Sequence, residues 1–462
     1  MKIGENKDWK NFFKDKRITL MGLGLLGRGV NVAKFLAECG AILIITDLKS
    51  TEQLKGSIDQ LKKFPQITYV LGEHRIEDFQ NCDMVIKAPG VPLDSIYIAE
   101  AHRQGILVEM DASLFAQFFT GTIIGITGTR GKSTTTHLIY HILQSAGLTA
   151  YLGGNVKGLA TLPLLKKVKG LRTTRVNSPL PDFIKSDFVV LELDSWQCQG
   201  FGESKISPDI AVFTNFFPDH MNYYKNSMED YFRDKANIFK FQSANQVLVA
   251  GKQVLPFIKK MSSKVSSHIV VPKTSLPPGW KLMIKGEHNV YNAMLAVEVA
   301  RSLGIKERSI KKSLATFKGV EGRLELVKTI RGIKIYNDTN STTPEAGLVA
   351  LKTLTVLGKK NIILITGGTD KLLNMSGYLR EIPRCCKAVM LLAGSGTERI
   401  KKSVKAPIVK EFSELKPAVL EAWSLAKRGD IVVMSPAFTS FGMFKNEYDR
   451  GDQFNKVIAK LK

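Results

Sequence analysis

The stretch GITGTRGKSTTT, residues 125–136, lies between the apolar pair Ile123-Ile124 and the segment His137-Leu138-Ile139-Tyr140. The pattern predicts a strand that stops at a glycine-rich turn and restarts as a helix. Such a turn aims several backbone N–H groups and the positive helix end into one small space, which suits a phosphate. Lys132 supplies a point charge able to reach a terminal phosphate, and the Ser133 hydroxyl is placed to ligate the Mg²⁺ that travels with a nucleotide. Gly128, Thr129, Arg130, Gly131 and Thr134 complete the expected cradle. It is a short variant of the P-loop. Ile126 stands where the first glycine of the usual motif falls, and Gly128 gives G-x-x-G-K-S instead. A chance glycine turn is the bland alternative, but strand, glycines, lysine, hydroxyls and helix arrive here in the required order.

Upstream, residues 17–29, RITLMGLGLLGRG, read as a short strand, a Gly22-x-Gly24-x-x-Gly27 turn and a helix through Val30–Cys39. The next strand, Ala41–Thr46, ends at Asp47, at the distance where a dinucleotide fold places an acid to hold a hydroxyl. The same pattern also serves Rossmann-like turns that bind no redox cofactor, and both readings stay open. Strand-like runs at Ile67–Leu71 and Met84–Ala88 continue the α/β alternation. The rigid turn Pro89-Gly90-Val91-Pro92 then follows, at a strand end where such sheets bind ligands.

Downstream, a strand at Thr149–Leu152 leads to Gly153-Gly154-Asn155, and residues 166–182 are basic, proline-punctuated and aperiodic, as in an exposed loop. The apolar strand Phe188–Leu193 contains Glu192 and runs into Asp194-Ser195-Trp196-Gln197. A carboxylate at the end of a buried strand beside a P-loop is either a magnesium partner or the cap of the next turn. His220, after the strand Ile210–Thr214, is a candidate ligand or a polar anchor. Lys235, in the helix Met228–Phe241, by itself reads as a solvated surface lysine. Asn289 and Asn292, three apart near a helix start, can read a base edge or cap the helix. A third α/β unit begins near residue 319. Its strands, Leu324–Val327, Ile333–Tyr336, Asn361–Thr366, Val389–Ala393 and Ile431–Met434, mostly end in Asn, Gly, Ser or Thr turns.

The chain of 462 residues is too long for one core and predicts two to four domains. A formal net charge of +24 implies attraction to anions, but Lys and Arg are spread along the chain and no nucleic-acid motif is visible. Five cysteines without a C-x-x-C pair fit a reducing compartment. The segment MKIGENKDWKNFFKDKR lacks the apolar core of a secretory signal, and no run approaches the ~20 apolar residues of a membrane span. A cytoplasmic protein with no nucleic-acid or membrane partner, and a monomer, is the expectation.

Taken together, TGTRGKSTTT, LELDSWQ, NFFPDHMNYY with Lys235 downstream, GEHNVYN, the EGR of 321–323 followed by YNDTN, GGTDK and SPAFTSFGMFKNEYDRG occur in the order found in the Mur ligases. The chain resembles that family of peptidoglycan synthesis over nearly its whole length. GGTDK, the SPAFTSFGMFKN segment and the GLGLLG start look most like the D-glutamate-adding branch. The resemblance implies an α/β protein of three domains: a Rossmann-like UDP-substrate domain over 1–115, a central P-loop ATPase domain over 116–318, and a C-terminal Rossmann-like amino-acid domain over 319–462. It implies an ATP-dependent ligase that adds D-glutamate to UDP-N-acetylmuramoyl-L-alanine through an acyl phosphate.

Residue by residue, the resemblance makes Lys132, Glu192, His220 and Lys235 the catalytic set. Ser133 and Glu192 serve one magnesium ion, His220 and Lys235 a second, and Lys235 is carbamylated by CO₂. Gly128 to Thr134 with Asn289, Asn292, Arg323 and Asp338 form the ATP site. Leu25, Leu26, Asp47, Gly90, Asn155 and Gln197 match contacts to the UDP-muramoyl portion, and Thr342, Lys371, Ser440 and Tyr448 those to the amino acid. Asn340, Asp194, Glu447 and Asn222 depart from the family pattern, at slots where a lysine, a serine, an aromatic and an aspartate are common. A related ligase for another amino acid, and a nucleotide sensor or redox-cofactor protein built on the GxGxxG start, are the competing readings. DNA or RNA binding through the basic surface is a third.

Overall fold

The computed structural model describes residues 8–92, 94–169, 187–261, 265–356 and 358–462. From residue 170 to 182 the expected basic loop lies outside them. The chain forms two compact units, Met1–Leu282 with Glu287–Thr316, and Met283–Gly286 with Phe317–Lys462.

The first unit carries two sheets. The first is built from β1 (Arg17–Met21), β2 (Ile42–Asp47), β3 (Ile67–Leu71), β4 (Met84–Lys87) and β5 (Leu107–Glu109). Its order is β3-β2-β1-β4-β5 and every pair is parallel. The near-continuous apolar runs of β1 and β4 belong to strands covered on both faces. Strand order reverses between β1 and β4, and the crevice beyond their carboxyl ends is where open sheets of this kind take ligands. The glycine turn leaves β1 there, with Gly22, Gly24 and Gly27 all at positive φ, and the Ala88 methyl packs where a Gly22 side chain would stand.

The second sheet has β6 (Thr122–Thr127), β7 (Ala150–Gly154), β8 (Phe188–Glu192), β9 (Ile210–Phe213), β10 (Val247–Ala250) and β11 (His268–Val270), in the parallel order β11-β10-β9-β6-β8-β7. Every residue of β6, β8 and β9 is buried. The strand that feeds the glycine loop therefore lies mid-sheet, held by neighbours on both sides. One apolar core runs without a break from Phe35 and Ile86 to Phe115, Val189 and Phe213, so the two sheets share an interior. At the end of β5 the buried Glu109 carboxylate accepts from Ser113 Oγ (2.9 Å), Gln117 Nε2 (2.8 Å) and Ser204 Oγ (2.9 Å). It ties the first sheet to the helices Asp111–Phe118 and Ser195–Glu203.

The second unit has β12 (Glu325–Ile330), β13 (Ile333–Asn337), β14 (Ile362–Gly367), β15 (Cys386–Leu392), β16 (Ile408–Phe412) and β17 (Ile431–Met434), ordered β12-β13-β17-β14-β15-β16. Only β12 is antiparallel to its neighbour. Separate apolar clusters cover the two faces. Of the strands absent from the sequence expectation, β11 and β16 are sheet edges with few buried side chains, while β5 and β10 are largely buried but only three and four residues long, too short to show a period. Among the described residues no helix is long and apolar enough to cross a membrane, and the five cysteines are unbridged.

Glu109→Ala removes the common acceptor of two hydroxyls and an amide, which keep second acceptors in Met110 O, Gly200 O and Ser204 Oγ, and is expected to lower unfolding stability by about 1 kcal/mol, read as a fall in the urea midpoint.

Candidate active site

The loop after β6 is shaped by what lies against its glycines. Gly128 and Gly131 have φ of 137° and 85°, and a side chain on either would overlap the Thr214 hydroxyl or the Asn292 carboxamide. The loop is then stitched to the segment after β9. Thr129 N donates to Asn215 O (2.9 Å), Arg130 N to Asn215 Oδ1 (2.8 Å), Thr214 Oγ1 to Arg130 O (2.6 Å) and Phe217 N to Thr129 Oγ1 (3.0 Å). Outside the loop, Arg130 pairs with Asp219 at 2.6 Å. The helix Lys132–Ser145 starts directly from Gly131, so its unpaired N–H groups face the loop.

Two ammonium groups converge on this loop. Lys132 Nζ donates to Gly128 O (3.0 Å) and Thr129 O (3.1 Å), while Lys235 Nζ reaches the same Gly128 O (3.0 Å) and Thr127 Oγ1 (3.4 Å). Lys235 is 1% exposed, which overturns the surface-lysine reading taken from its helix pattern alone. Its helix, Met228–Lys240, turns it inward over the Tyr231 ring, 4.9 Å from the centroid. Burial first, and the Lys132 charge second, bring its pKa down to about 7.

Glu192 ends β8 at 4% exposure. The cap of the next helix is Asp194, whose carboxylate accepts from Gln197 N at 2.8 Å, so the capping alternative for Glu192 falls away. That helix also explains the Asp194 departure, since aspartate caps as well as serine. His220 sits at φ 55° with its ring 4.7 Å from that of Trp196. Burial lowers its pKa and Asp219 opposes the shift, which leaves a neutral imidazole able to ligate. Among the described residues no three His, Cys, Asp or Glu side chains are gathered as a metal cage. Magnesium needs no such cage when phosphate oxygens and water supply most of its shell, and Ser133 with Glu192 offers the hard oxygen donors it takes. Asn289 and Asn292 lie inside the helix Glu287–Ser302 and share a 3.4 Å hydrogen bond, with Asn292 closing over Gly131. They are not the helix cap.

Beyond the loop, Leu25 and Leu26 are more than half exposed, and Gly90 has open space around its Cα. Asp47 uses one oxygen for Gly24 N (3.0 Å) and the other for Lys49 N (3.0 Å), so it braces the glycine turn. Asn155 N donates to Glu192 O (2.7 Å), and its side chain accepts from Arg28 Nη2 (3.0 Å). Gln197 is fully buried, and its Nε2 has no hydrogen-bond partner among the described residues. The Arg130–Asp219 and Arg28–Asn155 pairs escaped the sequence reading, because no spacing rule links positions so far apart in the chain.

In the second unit, Asp338 accepts from Ser435 Oγ (2.8 Å) and Leu324 N (2.9 Å), beside Arg323. Burial pushes its pKa up to about 7. Thr342, Lys371 and Ser440 stand on three loops joined by Ala437 N to Ser341 O (2.8 Å), Gly367 N to Pro436 O (3.0 Å) and Thr369 N to Thr439 O (3.1 Å). Ser440 is buried, Lys371 exposed, and Tyr448 half-buried in the helix Glu447–Ala459. Asn340 gives its side-chain amide to Glu321 O (3.3 Å), so it works as a backbone brace.

The sequence matches three family models: the Mur ligase MurD-like N-terminal domain over residues 16–109, the Mur ligase middle domain over 126–273, and the Mur ligase glutamate ligase domain over 322–438. It is 36% identical to the UDP-N-acetylmuramoylalanine–D-glutamate ligase of Borreliella afzelii, over 97% of this chain and 98% of that one. It is 33% identical to the protein of the same name from Roseiflexus, over 96% and 99%. The fold is similar to that of the UDP-N-acetylmuramate-alanine ligase MurC from Thermotoga maritima, with a TM-score of 0.59 at 19% identity, covering 97% of this chain and 100% of that one.

Asp338 gives a pH test. Its folded pKa is raised, so its contribution to stability is full below the unfolded value near 3.9 and is lost as pH rises through about 7. Asp338→Asn removes that titration. Its stability relative to wild type is expected to improve from pH 5 to pH 7, by at most about 1.4 kcal/mol per pH unit, in parallel thermal melts.

Proposed function

The chain belongs to the Mur ligase family, an ATP-dependent group, and from that membership we propose that it joins D-glutamate to UDP-N-acetylmuramoyl-L-alanine with release of ADP and phosphate. The observation that carries the chemistry is the meeting of the Lys132 and Lys235 ammonium groups on the Gly128 carbonyl. A buried and a partly buried ammonium group on one neutral oxygen make a site for a polyanion. The D-glutamate assignment rests on the names of the relatives and on the lysine and hydroxyl groups of the Thr342, Lys371 and Ser440 loops, which suit a dicarboxylate.

In this reading the glycine loop and the helix end hold the nucleotide phosphates, with Lys132 bridging toward the terminal one. Asn289 and Asn292 hold the adenine, and Arg323 and Asp338 the ribose and phosphates. Leu25, Leu26, Asp47, Gly90, Asn155 and Gln197 hold the UDP-sugar, and Gln197 brings a buried Nε2 that lacks a hydrogen-bond partner among the described residues. The terminal phosphoryl group passes to the L-alanyl carboxylate and gives an acyl phosphate. The D-glutamate amine attacks its carbonyl, and the tetrahedral intermediate expels phosphate as the amide forms. Ser133 and Glu192, and at a second site His220 and Lys235, would hold magnesium, which would supply positive charge for the crowded phosphoryl and carboxylate oxygens.

Lys235 serves that second site as a carbamate. Its ammonium group loses one proton to give the free amine, the amine nitrogen bonds to the carbon of CO₂ and a second proton leaves to solvent, turning a cation that repels Lys132 into an anion that attracts it. A buried lysine with a pKa near 7 has the free base that this addition requires. In this reading the enzyme works in the cytoplasm, on the route to cell-wall precursors.

Phosphate release from ATP and Mg²⁺ with the UDP-sugar is expected to require D-glutamate over other amino acids. Lys235→Ala is expected to lose at least about 100-fold, and added short-chain carboxylate to restore part of it. Release driven by another amino acid would assign the Glu447 and Asn340 departures to a changed pocket, and release with none would end the ligase reading. Separately, the carbamate signal from ¹³CO₂ in the wild-type protein is expected to grow as pH rises through about 7 at constant dissolved CO₂, and to be missing in Lys235→Ala.

A further inference from the structure

Arg450, in the helix Glu447–Ala459, is the largest side chain among those fully buried. A guanidinium inside a protein is ordinarily matched by a carboxylate, because an unpaired charge in a low-dielectric interior is costly. Here the acceptors are all neutral. Nη2 donates to Thr339 O (2.7 Å), Nε to Thr339 Oγ1 (3.1 Å) and Nη1 to Phe438 O (3.3 Å), with the Phe444 ring 6.0 Å away. No described carboxylate forms an ion pair with it; Glu447 and Asp338 act on it only from a distance. The acid nearest Lys371 in sequence, Asp370, is already met by Arg399 at 2.9 Å.

The two carbonyls that hold Arg450 belong to two of the three stitched loops. Thr339 lies three residues before Thr342, and Phe438 two before Ser440. One positive charge without an ion-pair partner among the described residues, offset only from a distance by Glu447 and Asp338, thus lies under the backbone that carries two of the amino-acid candidates. Burial lowers its pKa only to about 10, so the charge persists at neutral pH.

We propose that Arg450 is a specificity-determining positioning residue: its buried charge fixes the loops carrying Thr342 and Ser440 and favours an incoming amino acid with a second carboxylate. This rests on the ligase reading for the identity of the amino acid, but the charge and its neutral partners stand without it. Arg450 touches no reacting atom and acts through the loops it holds.

The test is equilibrium binding of glutarate, a dicarboxylate that lacks the amine, with butyrate as the one-carboxylate control. It uses the full chain with a non-hydrolysable ATP analogue and the UDP-sugar present, and needs no turnover, so failure here is distinct from failure of the ligase assay. Wild type is expected to bind glutarate at least tenfold more tightly than butyrate. Arg450→Met is expected to lose at least tenfold in glutarate affinity with butyrate unchanged, while Arg450→Lys, which keeps the charge, loses less than threefold. In turnover the same pattern should fall on KM for the amino acid, with KM for ATP within twofold. Equal binding of glutarate and butyrate by wild type overturns the proposal without any variant. So does an equal loss in Arg450→Met and Arg450→Lys, or a matching change in KM for ATP, since either marks a strut alone.

Discussion

The second sheet is arranged around one electrostatic conflict, two ammonium groups directed at a single carbonyl oxygen. In water such a pair repels weakly, but in an interior of low effective dielectric the repulsion grows several-fold. Lys235 cannot move away, because its helix is packed against β6 and β9 and its ammonium group lies over the Tyr231 ring. Lys132 is fixed by the helix that starts from Gly131. Three remedies exist: a proton is lost, an anion enters, or one amine becomes an anion. The first is visible in the depressed pKa of Lys235, and the other two correspond to the nucleotide binding and the carbamate formation proposed for this site. The loop glycines, Thr214, Asn215 and Asn292 make sense as the rigid frame that keeps the conflict in place.

Much of this frame was legible before any coordinates. GITGTRGKSTTT predicts the strand, turn and helix because each residue there answers to a local rule: apolar for the sheet centre, glycine for positive φ, hydroxyl and lysine for phosphate. Glu192 was placed at a strand end, though its alternative as a cap could be removed only once Asp194 was seen in that role. Lys235 shows the limit. A lysine on an amphipathic helix obeys the rule for a surface residue, and only the packing of β6 and β9 around that helix reveals which way it points. The pairs Arg130–Asp219 and Arg28–Asn155 and the burial of Arg450 were illegible for the same reason: they join residues that no periodicity relates.

The first two sheets show a different limit. Their motifs are separate in the sequence and each has its own sheet, and beneath them Phe35, Ile86, Phe115 and Val189 belong to one core, with Glu109 joining both sides. Domain boundaries read from motifs mark where chemistry changes, whereas compact units mark where apolar contact stops. The crevice at β1 and β4 and the loop after β6 are therefore parts of one solid body, and a substrate lying along it meets surfaces whose spacing is set by core packing.

The order of strands in the second unit bears on how the protein comes into being. β17 lies between β13 and β14, although it is the last strand of the chain to be made. On a growing polypeptide β13 and β14 have no shared partner, and the edges they will give to β17 stay open until residue 434 has been synthesised. Pairings between segments so distant in sequence are slow to form, and open edges are prone to mispairing. The glycine loop and its first-unit neighbours are complete more than a hundred residues earlier. On the ribosome, then, the glycine loop is assembled well before the second sheet is closed. A shortened chain lacking the last strand would keep the first core and lose the sheet that supports the amino-acid loops, which makes the carboxyl-terminal segment a structural checkpoint for the whole second unit.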